Sequence, residues 1–68
     1  MIIEAKSKAF TRRVFIKPDG RGNYQSDAWS IHNRTGKKIY RGCAIHPGLD
    51  GHMTRAKDWT DGKELYFF

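Results

Sequence analysis

The chain has 68 residues, a net charge of +6 and a single cysteine. That length sets one domain, residues 1–68, with a thin core, because so short a chain buries only about 60% of the surface its unfolded form exposes. Cys43 alone excludes an internal disulfide framework and suits a reducing compartment. The opening "MIIEAKSKAF" holds no apolar run long enough for a signal peptide, and no later stretch is suited to crossing a membrane, so the cytoplasm is the expected location.

The positive charge is unevenly placed. Residues 1–45 carry ten Lys/Arg against Glu4, Asp19 and Asp27, whereas residues 46–68 carry Arg55, Lys57 and Lys63 against Asp50, Asp58, Asp61 and Glu64. The whole excess lies in the first two thirds, which points to one side that faces a polyanion. A basic balance also serves plain solubility.

The first eight residues do not decide between an edge strand and irregular chain. "RRVFIK", residues 12–17, sets Arg13, Phe15 and Lys17 on one face and Arg12, Val14 and Ile16 on the other, the period-two pattern of a strand. Lys17-Pro18-Asp19-Gly20 predicts a type I turn with proline at its second position, and Gly22-Asn23 offers a longer loop. A second strand is expected from about Tyr24 to Asn33, with Trp29 and Ile31 on one face and Tyr24, Ala28 and several hydroxyls on the other. Asn33-Arg34-Thr35-Gly36 repeats the turn chemistry. With Asn33 paired to Lys37, His32 faces Lys38, Ile31 faces Ile39 and Trp29 faces Arg41, a register that apolar pairing favours.

The third strand, Lys38 to Ile45, then places Ile39, Cys43 and Ile45 on the Trp29 face, and His46-Pro47-Gly48 ends it. Leu49, Met53, Ala56 and Thr60 recur at helical spacing, with Asp50 as the expected N-cap, Gly62 as the stop and Trp59 at the edge of the stripe. "ELYFF" at the C-terminus reads as a last strand along a sheet edge. The expected fold is β-rich α+β: a small twisted antiparallel sheet of three to five strands with two hairpins, and at most one short helix near residues 50–60. In so small a domain Trp29 is expected in the core.

Three kinds of chemistry merit weighing. The first is nucleic-acid binding. Neighbouring hairpin tips would offer Arg21, Arg34, Lys37 and Lys38, and the strands Arg12, Arg13, Lys17 and Arg41, as phosphate contacts. A two-stranded ribbon fits a major groove, whereas Tyr24, Trp29 and Tyr40 suit stacking on unpaired bases, with Trp29 opposite Arg41 as a platform or a structural cation–π pair. No helix-turn-helix or complete zinc-finger pattern accompanies them. The expected function is therefore a small basic nucleic-acid-binding protein, with DNA and RNA equally open.

The second is metal or catalytic chemistry. Cys43-x-x-His46 followed by His52, with Asp50 or His32 as a fourth ligand, resembles a zinc set only loosely. The expectation is no metal and no cofactor, with Cys43 a small buried residue and the histidines exposed in loops. His32, His46 and His52 with Arg55 and Lys57 offer acid–base cleavage of RNA, yet no spacing fixes a base against a phosphate-stabilising group, so no enzyme is expected. The third, alternative reading is a protein-binding accessory or inhibitor module, of the phage or plasmid regulator type. It would bind another protein, or a second copy, through a sheet edge and the aromatic tail Leu65-Tyr66-Phe67-Phe68.

Overall fold

In the computed structural model, which describes residues 1–62, the alternation begun at Arg12 extends into a full meander. Its strands are β1 (Ile2–Lys6), β2 (Phe10–Pro18), β3 (Tyr24–His32) and β4 (Lys38–His46), followed by the helix α1 (Leu49–Thr60). All neighbours pair antiparallel in the order β1-β2-β3-β4, so the fold is the expected small β-rich α+β sheet with one short helix. The N-terminal residues supply the edge strand that the sequence left undecided. The last strand expected over "ELYFF" lies outside the described residues.

The helix covers one face of the sheet. Val14, Ile16 and Ala28 from the strands meet Ala56 and Trp59 from α1, with Ile3, Tyr24, Ala44, Leu49 and Met53 around them. The side chains that β3 and β4 place beneath the helix are small: Ser26, Ala28, Gly42 and Ala44. Small side chains let the helix approach the sheet closely, and Trp59 fills the space with only 2% of its surface exposed. The core tryptophan is therefore Trp59. Trp29 lies on the opposite, open face and is half-buried, correcting the expectation that it forms the core.

The helix buries His52, Ala56, Trp59 and Thr60, while Leu49 and Met53 sit at the rim of that stripe. Asp50 is not the N-cap. Gly48 holds that position without a side-chain cap, and Asp50 lies in the first turn, where its charge complements the helix dipole. The C-terminus closes as expected, with Gly62 at φ +81° and its N–H donating to the Trp59 carbonyl.

The two hairpins expected from the sequence, β2–β3 and β3–β4, differ from the simplest turn chemistry, and β1–β2 adds a third. Pro18 still pairs with Tyr24, so the first loop spans residues 19–23, and the Asp19 carboxylate accepts from the N–H groups of Arg21 and Asn23. In the second, His32 rather than Asn33 pairs with Lys37. Asn33 is held elsewhere. Its N–H donates to Ala9 O, its side-chain amide donates to Ser7 O at 2.9 Å, and its carbonyl accepts from the Thr11 hydroxyl at 2.6 Å. That anchor takes Asn33 out of the ladder and offsets the register by one, so Ile31 faces Lys38, Ser30 faces Ile39 and Trp29 faces Tyr40.

A bulge removes the offset. Arg41 is the unpaired residue, and beyond it Ala28 faces Gly42 and Asp27 faces Cys43, as the expected register requires. Gly42 has φ +140°, a backbone conformation open to glycine and strained for other residues. The slip moves Ile39 off the Trp29 face, whereas Cys43 and Ile45 remain on it.

This allocation makes the two tryptophans unequal. Trp59→Ala is expected to cost about 3–5 kcal/mol, enough to unfold most of so small a domain, and Trp29→Ala about 1 kcal/mol. Urea denaturation of both variants checks this, and equal losses contradict the assignment of the core. Asn33→Ala, which leaves the part-buried Thr11 hydroxyl without its partner and unfastens the two loops, is expected to cost about 1–2 kcal/mol in the same assay.

Candidate nucleic-acid interface

Antiparallel pairing arranges the open face in transverse rows. At one end stand Lys6, Thr11, Ile31 and Lys38; next come Glu4, Arg13, Trp29 and Tyr40; then Ile2, Phe15, Asp27 and Cys43; and finally Lys17, Gln25 and Ile45. Lys6 and Lys38 are three strand spacings apart, roughly 14 Å. The β1–β2 turn and the β3–β4 loop emerge at the same end and are stapled together by Asn33. Lys8, Arg34 and Lys37 therefore join Lys6 and Lys38 there.

The sequence-derived cations separate into groups. Arg34, Lys37 and Lys38 belong to this basic end. Arg41 lines a recess just behind it with Phe10, Arg12, Ser30 and Ile39. Arg13 lies in the second row, where it pairs with Glu4. Lys17 and Arg21 lie at the other end. A meander puts successive hairpin tips at opposite ends, and β3 separates them by roughly 27 Å. The two tips are thus not neighbours.

Arg12 points to the covered face. Its guanidinium donates to the Trp59 carbonyl at 2.8 Å and lies 5.4 Å from the Trp59 ring centre, so it helps fasten the helix to the sheet. Lys6 and Lys8 were not singled out by sequence reasoning. Their charge was visible, but their position depends on β1 pairing and on Asn33, a contact 26 residues away from Ser7.

The aromatic content of the open face is high. Trp29 and Tyr40 meet edge to face at 5.0 Å between ring centres, and Phe15 lies in the next row. Tyr40 is 49% exposed and Phe15 37%. The Tyr40 hydroxyl donates to Asp27 at 2.8 Å. Its hydrogen-bonded contact with Cys43, then that with Asp27, pushes the phenol above its ordinary range and keeps it neutral. The acids of this face are both engaged: Glu4 by Arg13, and Asp27 by Tyr40 and Gln25.

The histidines and cysteine are arranged differently from expectation. Cys43 is half-buried on the open face. His52, expected in an exposed loop, is wholly buried in α1. Its Nε2–H donates to the His46 carbonyl at 2.9 Å, so its Nδ1 accepts from the Ser26 hydroxyl. The His46 ring stacks on it at 3.6 Å, with room provided by Gly51, where a Cβ would sit 3.3 Å from His46. With both ring nitrogens bonded and Ser26 equally buried, this cluster is a polar peg between helix and sheet. Among the described residues, no three His, Cys, Asp or Glu side chains converge as a metal site requires.

The peg has a pH signature. Loss of water around the ring, then the nearby His52 and Arg55, holds His46 below its ordinary value of 6.5. Below that value the unfolded chain takes up a proton that the folded protein resists. Stability is therefore complete above about pH 6.5 and declines as pH falls toward the lower folded value. His46→Phe keeps the stacked ring and removes this step. The stability lead of wild type over the variant is expected to shrink on acidification in thermal melts from about pH 7.5 to about 5; a constant difference rejects the assignment.

Comparison with protein-family models, with curated proteins and with solved structures returns no match.

Proposed function

We infer that the protein is a non-catalytic, cytoplasmic nucleic-acid-binding module that takes phosphates at its basic end. One observation carries this reading. Lys6, Lys8, Arg34, Lys37 and Lys38 come from separate parts of the chain and meet at one end of the sheet, held there by Asn33. Residues 5–11 and 30–41, which build that end, contain no acid. Among the described residues none of the five lysine and arginine side chains is held in an ion pair, although Asp61 shares a recess with Lys6. Cations this close, without an ion pair among the described residues, create a local positive field, and displacement of counterions from a polyanion then drives binding.

A second reading, a protein-binding module, is supported by β4: its nine residues form a sheet edge with no further strand paired to it among the described residues. The basic end supports the first reading more directly, because an edge strand alone specifies no partner.

Fluorescence anisotropy with short single-stranded and duplex oligonucleotides tests the proposal. Five phosphate contacts to a single strand predict an affinity loss of about 100-fold between 50 and 200 mM salt. The variant Arg34→Ala/Lys37→Ala/Lys38→Ala is expected to flatten the log–log salt slope by about 2 and leave the melting temperature nearly unchanged. Arg21→Ala, at the far end, is expected to change binding little. Absence of binding to every probe at 50 mM salt overturns the proposal.

A further inference from the structure

We propose that the open sheet face is a stacking platform for a single-stranded polynucleotide, whose bases rest on Tyr40, Trp29 and Phe15 while its phosphates enter the basic end. The inference rests on the nucleic-acid reading above and names the form of nucleic acid that the site takes.

Three observations carry it. The aromatic row begins directly behind the basic row: Trp29 and Tyr40 follow Ile31 and Lys38 two residues along their strands on the same face. A strand anchored at Lys6 and Lys38 is therefore led onto the aromatics without leaving the sheet. Secondly, the rings are accessible and of fixed orientation. Tyr40 is held by its hydrogen bond to Asp27 and by its edge-to-face contact with Trp29, and Tyr40 and Phe15 are exposed to solvent beside the half-buried Trp29. Base–aromatic stacking needs such a face, and it tolerates any base.

Thirdly, the face is electrostatically suited to a polyanion. Glu4 is paired with Arg13, and Asp27, hydrogen-bonded by Tyr40 and Gln25, is the one acid of this face among the described residues without a cationic partner, set against the five cations of the basic end. A duplex makes poorer use of these features. Its base faces are already stacked on one another, and no two-stranded ribbon stands out from the sheet to enter a groove. β2, β3 and β4 are paired over nearly their whole nine-residue lengths, and the loops between them are short.

The experiment titrates the protein at 50 mM salt with oligo-dT, oligo-U and a duplex of equal length, following anisotropy and tryptophan fluorescence. Both single strands, or either one alone, are expected to bind more tightly than duplex, and the DNA and RNA arms identify which sugar is preferred. Stacking on Trp29 is expected to quench its emission, a response lost in Trp29→Phe, where only buried Trp59 still emits. Tyr40→Leu and Phe15→Leu keep apolar bulk but lack a π face, and each is expected to weaken single-strand binding on the order of 10-fold with the salt slope unchanged. Tyr40→Phe, which retains the ring, is expected to bind nearly as wild type.

Tighter binding to duplex, or Leu variants that fold and bind single strands like wild type, overturns the stacking platform while leaving the basic end intact. Failure to bind any nucleic acid overturns both. Should a Leu variant not fold, the Trp29 quench in the wild-type protein decides: binding with unchanged emission rejects the platform.

Discussion

The anchoring of Asn33 to the β1–β2 turn is the constraint on which the rest of the sheet depends. Had Asn33 stayed in the ladder opposite Lys37, Tyr40 would face Ser30 on the covered side and Ile39 would join Ile31 on the open one. Because the amide of Asn33 is committed to Ser7 and Ala9 and its carbonyl to Thr11, the ladder closes one residue earlier. In a strand a shift of one residue exchanges the faces of every side chain beyond it. Trp29 and Tyr40 are cross-strand partners for this reason, and the two loops that carry the basic end are joined by the same three hydrogen bonds.

Such a slip cannot run the length of β4, since it would push Cys43 and Ile45 beneath the helix and lift Ala44 out. The bulge at Arg41 confines it. Beyond Gly42 the side chains under α1 are small again, and the helix settles close enough for Trp59 and Ala56 to fill the interior. His52 reaches the Ser26 hydroxyl across the same narrow gap. One local irregularity thus serves two ends of the strand: aromatic pairing on one side of the bulge and close helix packing on the other.

The sequence foretells the elements better than the assignment of faces. Strand spans, the helix and its glycine stop follow from periodicity and turn residues, which are local signals. The interior is less legible, because reading the core from size favours Trp29, Ile31, Ile39 and Ile45 over a strip of Ser26, Ala28, Gly42 and Ala44. What decides is the close approach of a helix, which rewards small residues on the sheet and one large residue on the helix. His52 is hidden for a related reason: it reads as polar, yet Ser26 and the His46 carbonyl satisfy both of its nitrogens in the interior. The site shares these limits. Arg34, Lys37 and Lys38 are recognisable as tip residues, whereas the roles of Lys6, Lys8 and Arg12 depend on contacts distant in sequence.

Arg12 and Arg13 show how adjacency on a strand sends like side chains to different surroundings. Identical in chemistry, they point to opposite faces, one tied to the carbonyl and ring of Trp59 and the other to Glu4 beside Trp29. The same alternation leaves Phe15, Tyr40 and Ile45 in water while Val14 and Ile16 are buried. Complete burial of a large apolar side chain is worth about 1.5–3 kcal/mol, and these three, between 37% and 57% exposed, each forgo part of it, a sizeable amount for a domain whose core supplies only a few kcal/mol. Among the described residues the sheet does not close on itself, and their one helix covers the side of small residues. A face that combines forgone burial with hydrogen-bonded, exposed aromatic rings has the composition of a surface that a ligand can complete, and the adjoining cations favour a polyanion, as the proposed function requires.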